Sequence, residues 1–421
     1  MGEIVDKAMA WTTPTDEQQK KIPIPTAIAL AVGVLLWLGS YLGLVGVLVP
    51  QQVAEIAPDQ KTSAIALMST VAMIVSTIAN IVEGALSDRT RSRWGRRTPW
   101  IIAGSIGSCL CILAWAHCTE VWHVVLADSV YMIFLNMIVA PLIAVIADRT
   151  APKYRGTMSG VYALGTCIGQ YGGQAFASLF LPVPDTGFIV MAVMVLFSGP
   201  VAALFLREKS TKDMPVEKIT LQTFSDNFAF PTKGARDFYL AMIGKMCIIT
   251  SSFAISGYQL YILTDYIKLS GGKLQGYVTM ISMIMMATAI VMCFFAGPVS
   301  DKIGRRKLPV VIAGILITIG SLVPMFTSQA FIMLVYAVVV GIGMGMFNSV
   351  DQALNIEVLP DPKTAAKDLG LLNIANNGGQ VFGPIFASIV INAVGYHAVF
   401  PLAAGLALLG IVLVSFIRKV K

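Results

Sequence analysis

Twelve runs of about 20 mostly apolar residues, separated by short polar loops, constrain this chain more than any other feature. They fall near residues 27–49, 62–86, 99–117, 121–146, 157–181, 187–206, 239–264, 275–297, 308–326, 329–356, 369–391 and 396–417. Each run is long enough to cross a bilayer. A backbone in lipid must satisfy its own hydrogen bonds, so each is expected to be a helix. Composition agrees: only 13% of residues are charged, against about 25% in an ordinary soluble domain. The expected fold class is therefore an all-α polytopic membrane protein. The first 21 residues are polar and lack an early apolar core, so the first run reads as a retained span and not a cleaved signal.

The basic residues orient the spans. Of 30 Lys and Arg, all except Lys61, Lys245, Lys268 and Lys273 fall in the termini and in alternate loops that share one side. The positive-inside rule then places both termini in the cytoplasm, in a cell membrane. The net charge of +7 thus reflects topology, and no nucleic-acid partner is expected. The six cysteines form no CxxC pair and lie in or beside apolar runs, where packing explains them. His117, His123 and His397 are far apart, and neither metal-ligand spacing nor a nucleophile motif is present. The expectation is no enzyme, no metal and no cofactor.

A repeat divides the chain. Gly84-Ala-Leu-Ser-Asp88 ends the second run and Gly297-Pro-Val-Ser-Asp301 ends the eighth, with the aspartates 213 residues apart. Basic clusters follow each, with Arg96 and Arg97 in the first copy and Arg305 and Arg306 in the second. The expected layout is a cytoplasmic segment at 1–26, a six-helix bundle at 27–206, a cytoplasmic linker at 207–238, a second six-helix bundle at 239–417, and a cytoplasmic end at 418–421. An aspartate at a helix end can pair with a base or face a helix N-terminus. These eight residues, Gly84, Asp88, Arg96, Arg97, Gly297, Asp301, Arg305 and Arg306, are read as a cytoplasmic gate. Topology-setting charge alone would account for the arginines, though not for the repeated Gly-x-x-x-Asp.

Intramembrane polar residues cost free energy and face a bundle interior or a water-filled cavity. Spans one, three, six, eight, nine and twelve carry none of the amide or charged types away from their ends. The other six carry stripes at helical spacing. Span ten has Asn348, Asp351, Gln352 and Asn355, and span eleven has Asn373, Asn376, Asn377 and Gln380. The candidate substrate-binding residues are Tyr131, Asn136, Gln170, Gln174, Tyr258, Gln259, Asn348, Gln352, Asn373 and Asn377. Amide glue between helices is the competing explanation for any single one. Asp128 and Asp351 are the proton-coupling candidates. Glu83 is grouped with the gate, and Lys245 is read as snorkelling to the cytoplasm.

Twelve spans in six plus six with this motif repeat resemble the major facilitator superfamily. The longer first copy, Ser87-Asp-Arg-Thr-Arg-Ser-Arg-Trp-Gly-Arg-Arg-Thr-Pro-Trp100, resembles the glycoside-pentoside-hexuronide cation symporters and the sucrose-transporter-like proteins beside them. Asp237-Phe-Tyr, Tyr258-Gln-Leu-Tyr261, Leu359-Pro360 and Lys367-Asp-Leu-Gly-Leu-Leu-Asn-Ile-Ala375 extend that similarity. The resemblance implies a major facilitator fold of two pseudo-repeat bundles that rock around a central site. It also implies a secondary transporter for a sugar or glycoside. The sodium-coupling carboxylates of that family correspond to Ser76 and Asn80, and the plant sucrose carriers' proton site corresponds to Met132 and Ile143. Neither coupling site carries over, which leaves Asp128 or Asp351 to couple a proton, or facilitated passage. The partners expected are a small-molecule substrate, a coupling proton and the bilayer, with a single chain sufficient. Efflux of amphipathic compounds, transport of organic anions, and a non-transporting sensor are the rival readings.

Overall fold

The computed structural model describes residues 14–212, 214, 231, 235–303, 306–359 and 365–418. Its main elements are helices, which we number in chain order. They are α1 (Ile24–Ile56), α2 (Lys61–Arg89), α3 (Thr98–Trp115), α4 (Val121–Arg149), α5 (152–178), α6 (Pro184–Leu206), α7 (Arg236–Ser256), α8 (Gly271–Ile303), α9 (Lys307–Leu322), α10 (Phe331–Glu357), α11 (Ala365–Ala393) and α12 (Val399–Ser415). Ten helical segments among the described residues are long and apolar enough to cross a membrane. The two spans missing from that set correspond to α5 and α11. Both are helical as expected, but Gln170 and Gln174 in one and the asparagine stripe of the other dilute their apolarity. Several helices overrun the expected spans, because a helix can continue past the hydrocarbon as long as its own ladder satisfies the backbone.

The chain forms two compact units. One comprises Met1–Leu48 and Val71–Lys218, the other Val49–Thr70 and Ile219–Lys421. Within the first, α3 packs on α4 and α6, while α1 packs on α6 and α5. Within the second, α9 packs on α10 and α12, while α7 packs on α12 and α11. These are the same four pairings advanced by six helices, so the motif repeat at Asp88 and Asp301 extends to a repeat in packing. Small residues make the closest approach possible. A Cβ placed on Gly173 of α5 would lie 2.2 Å from the Gly39 carbonyl oxygen of α1. On α11, a Cβ at Gly383 would lie 2.7 Å from Phe253 Cβ on α7. A π-helical turn interrupts α1 at Leu44–Leu48 and α5 at Ile168–Gly172, and another follows α7 at Ile262–Tyr266.

The segment Val49–Thr70, the end of α1 and the start of α2, belongs to the second unit through polar contacts. The Tyr261 hydroxyl donates to the Pro50 carbonyl at 2.8 Å, and Tyr258 Oη reaches the Thr62 and Pro384 carbonyls at 2.8 and 3.0 Å. Thr62 Oγ1 donates to Asn392 Oδ1 at 2.7 Å, and Lys61 pairs with Asp265 at 2.6 Å. The Tyr396 hydroxyl donates to the same Asp265 carboxylate at 2.7 Å. Burial would raise the Asp265 pKa, but hydrogen bonds from Lys61 and Tyr396 and the Lys61 charge outweigh it and hold the group below its ordinary value.

Candidate functional site

In the first unit the polar stripe of α2 meets that of α4. Asn80 Nδ2 donates to Asn136 Oδ1 at 2.9 Å, and Asn136 Nδ2 donates to Ser76 Oγ at 2.9 Å and to the Met132 carbonyl at 2.8 Å. This ladder commits every polar atom of Asn136 to helix contacts. One turn after Asn80, Glu83 is buried, and among the described residues its Oε2 has no hydrogen-bond partner. Closeness in sequence to Asp88 groups Glu83 with the gate. Among the described residues the gate's ion pairs do not include it.

Asp128 lies further along α4 and is 1% exposed. Among the described residues its Oδ1 has no hydrogen-bond partner and no salt bridge reaches it. Tyr41 of α1 and Tyr131, one turn away, face it; the two rings stack at 5.9 Å, and Tyr131 meets Trp115 of α3 edge-on at 6.0 Å. Tyr131 is fully buried, as the core of a helix cluster requires of so large a ring. Gln170 and Gln174 on α5 are half-buried, and Gln174 lies against Gly46 of α1.

The second unit holds the opposite arrangement. Lys245 of α7 is 4% exposed, and its Nζ pairs with Asp351 Oδ2 of α10 at 2.5 Å. Asn355 Nδ2 donates to the same oxygen at 2.9 Å. The expected snorkelling of Lys245 is therefore corrected: a carboxylate on the neighbouring helix compensates the ammonium inside the bundle, so it has no need of water. Gln259 is also buried, Asn377 is half-buried and Asn348 is exposed. The Tyr258 hydroxyl is committed to two backbone carbonyls. The side chains of Gln352 and Asn373 lie outside the described residues.

Where α2 and α4 end, the expected gate residues of the first unit meet in a cluster of ion pairs. Arg97 Nη2 meets Asp88 at 2.5 Å and its Nε meets Asp148 at 3.0 Å, while Arg96 Nη2 meets Asp148 at 2.6 Å. The Ser87 hydroxyl lies 3.1 Å from Arg97 Nη1. Gly84 sits a turn before this cluster, with Ala140 at 4.0 Å from where its Cβ would be. Asp148 lies outside the repeated Gly-x-x-x-Asp motif. The signal was present, since Asp148-Arg-Thr150 repeats Asp88-Arg-Thr90. Linker residue Glu208 accepts from the backbone N–H groups of Arg97 and Thr98 at 2.9 and 2.7 Å, capping the start of α3. In the second unit Arg306 reaches Ser300 at 3.3 Å and Glu357 at 3.4 Å, the counterpart of the Arg97 contacts to Ser87 and Asp148. Gly297 and Asp301 lie in α8, but their side-chain surroundings are outside what is described, and Arg305 lies outside the described residues altogether.

The family model described as Major Facilitator Superfamily matches residues 29–293 and 240–421. The chain belongs to the Major Facilitator Superfamily. With ten helical segments long and apolar enough to cross a bilayer among its described residues, it is an integral membrane protein. Among curated proteins it is 31% identical over 157 residues to inositol transporter 4 of Arabidopsis thaliana, covering 37% of this chain and 25% of that protein. It is 28% identical over 134 residues to monosaccharide-sensing protein 3 of the same plant, covering 32% of this chain and 17% of that one. The matched stretches thus span a quarter or less of these relatives' length. A bacterial homologue of the human lysosomal transporter Spinster, solved inward-facing and unoccupied, has a TM-score of 0.67 at 14% identity. That alignment covers 94% of this chain and 95% of the other. The human organic anion transporter MFSD10 has a TM-score of 0.66 at 14% identity, over 94% and 100% of the two chains. These likenesses establish the fold.

Proposed function

We propose that this chain is a proton-coupled secondary transporter for a small polar solute, a sugar or polyol, working by alternating access in a cell membrane. Both termini are assigned to the cytoplasm by the distribution of Lys and Arg. The observation that carries the coupling is the contrast between two intramembrane aspartates. Asp351 has Lys245 as counter-ion, so its charge is already balanced. Among the described residues no cation pairs with Asp128, and an uncompensated carboxylate in a lipid-embedded bundle is costly unless it binds a proton. The groups facing Asp128 are Tyr41 and Tyr131, and none is a base. Asp128 is thus assigned the coupling proton, and Asp351 the role of counter-ion.

The substrate class is supported by the curated names, by the resemblance to sugar symporters and by the half-buried amides Gln170, Gln174 and Asn377, which offer hydroxyls both donors and acceptors. The Asp88, Arg96, Arg97 and Asp148 cluster is assigned to a cytoplasmic gate. A second reading, an organic anion as substrate, draws on the buried Lys245 and on the MFSD10 likeness.

Counterflow of labelled inositol, monosaccharides and disaccharides in proteoliposomes, without an ion gradient, tests the substrate. Accumulation of one of them is expected. Silence across that panel with accumulation of a labelled organic anion would transfer the assignment to the second reading. In the same vesicles Asp128→Asn should retain counterflow but lose uptake driven by an imposed pH gradient by at least tenfold. Undiminished gradient-driven uptake by that variant would remove Asp128 from coupling.

A further inference from the structure

A cavity of about 470 Å³ opens in the first unit at the ends of α1, α4 and α6, away from every group assigned above to substrate or proton. Its wall includes Arg96, Arg149, Arg207 and Lys209, against two carboxylates, Asp148 and Glu208. Both carboxylates are already engaged. Asp148 Oδ1 pairs with Arg96 at 2.6 Å, and Glu208 Oε2 caps α3 through two backbone N–H groups. The other three cations have no carboxylate within ion-pair distance among the described residues. Arg149 Nη2 donates to the Leu206 carbonyl at 3.0 Å, and Arg207 Nε donates to the Leu204 carbonyl at 3.3 Å. Arg207 and Lys209 are exposed, so their heads are free to turn into the opening.

We infer that this cavity binds a phosphate-bearing anion at the membrane surface, with Arg149, Arg207 and Lys209 as its charge partners. Guanidinium forks and an ammonium gathered around one opening match the oxygens of a phosphate group. The position favours a lipid headgroup as the source. Arg149 ends α4 and Leu206 ends α6, at the level where a bilayer's headgroups lie. Ile24 and Leu204, 64% and 62% exposed, adjoin the wall residues Pro23, Pro25 and Phe205 and give acyl chains an apolar flank. The N-terminal segment closes one side. Gln19 pins it there by donating to the Arg149 carbonyl at 3.2 Å and accepting from the Ala151 N–H at 2.8 Å.

The test uses the full chain in phosphatidylcholine nanodiscs, titrated with phosphatidate in one arm and with inorganic phosphate in the other, and reads the thermal unfolding midpoint. A ligand that binds only the folded state raises that midpoint. Stabilisation by phosphatidate alone assigns the site to a headgroup, and stabilisation by both probes assigns it to phosphate from either source. The Arg207→Gln/Lys209→Gln double variant should need about tenfold more of the effective probe, the loss of roughly one charged hydrogen bond's worth of affinity. Both positions are exposed, so folding should survive the change. A control variant, Lys302→Gln/Arg418→Gln, removes two charges from the other unit and should titrate like the parent. No stabilisation by either probe, or an equal loss in the control variant, would overturn the site.

Discussion

Asp128 and Asp351 have the same side chain in comparable helices, and their neighbours give them different chemistry. A buried pair is tolerated because each ion solvates the other, and removing one partner exposes the full desolvation cost of the survivor. Lys245→Met should therefore destabilise the chain by about 3–5 kcal/mol, while Lys245→Met/Asp351→Asn, which leaves no net charge behind, should recover most of that loss. Thermal unfolding in detergent would measure both. If the double variant were as unstable as the single one, Asp351 would not be acting as the counter-ion. The same comparison shows how far side-chain chemistry was legible: the polar stripe of α10 could be read from spacing, whereas the partner of Asp351 lies 106 residues away. Nothing in the local pattern distinguishes a lysine that snorkels from one that pairs.

Helices here are specified by length and apolarity, but their contacts are specified by where small residues allow two backbones to meet. Gly173 is such a position, with the Gly39 carbonyl oxygen where a β-carbon would need to be. Gly173→Val must push α5 from α1, an overpacking cost of about 1–3 kcal/mol. Gly160 of the same helix, which faces open space, should accept alanine with little change in the unfolding midpoint. Equal effects at both positions would contradict the close α1–α5 contact. The π-turns in α1 and α5 had no warning in the apolar periodicity, since a one-residue bulge leaves composition untouched.

For the whole molecule, the pairing of helices repeats across the two units, as the duplicated Gly-x-x-x-Asp motif implies. The contact units nevertheless do not follow the repeat everywhere, because Val49–Thr70 belongs to the second. Asp265 helps hold it there. Because its folded pKa is lowered, its stabilising contribution is present above the ordinary carboxylate value and is lost as pH falls through the lowered one. Wild type should thus exceed Asp265→Asn in unfolding midpoint at neutral pH, and the two should converge in acid below the ordinary carboxylate range. A constant gap across that range would remove the ion pair with Lys61 as the cause.

Helical class, membrane-spanning character and the motif repeat were all readable from the chain. They follow from a solvent that forces every crossing segment to be long, apolar and internally hydrogen-bonded. Which intramembrane charges are balanced was decided only in three dimensions, as was the meeting of Asp128 with Tyr41 and Tyr131. So was the grouping of Arg149, Arg207 and Lys209 around one cavity. Charge compensation and burial depend on distances between residues far apart in sequence, and periodicity along one helix carries no information about what the next helix brings to meet it.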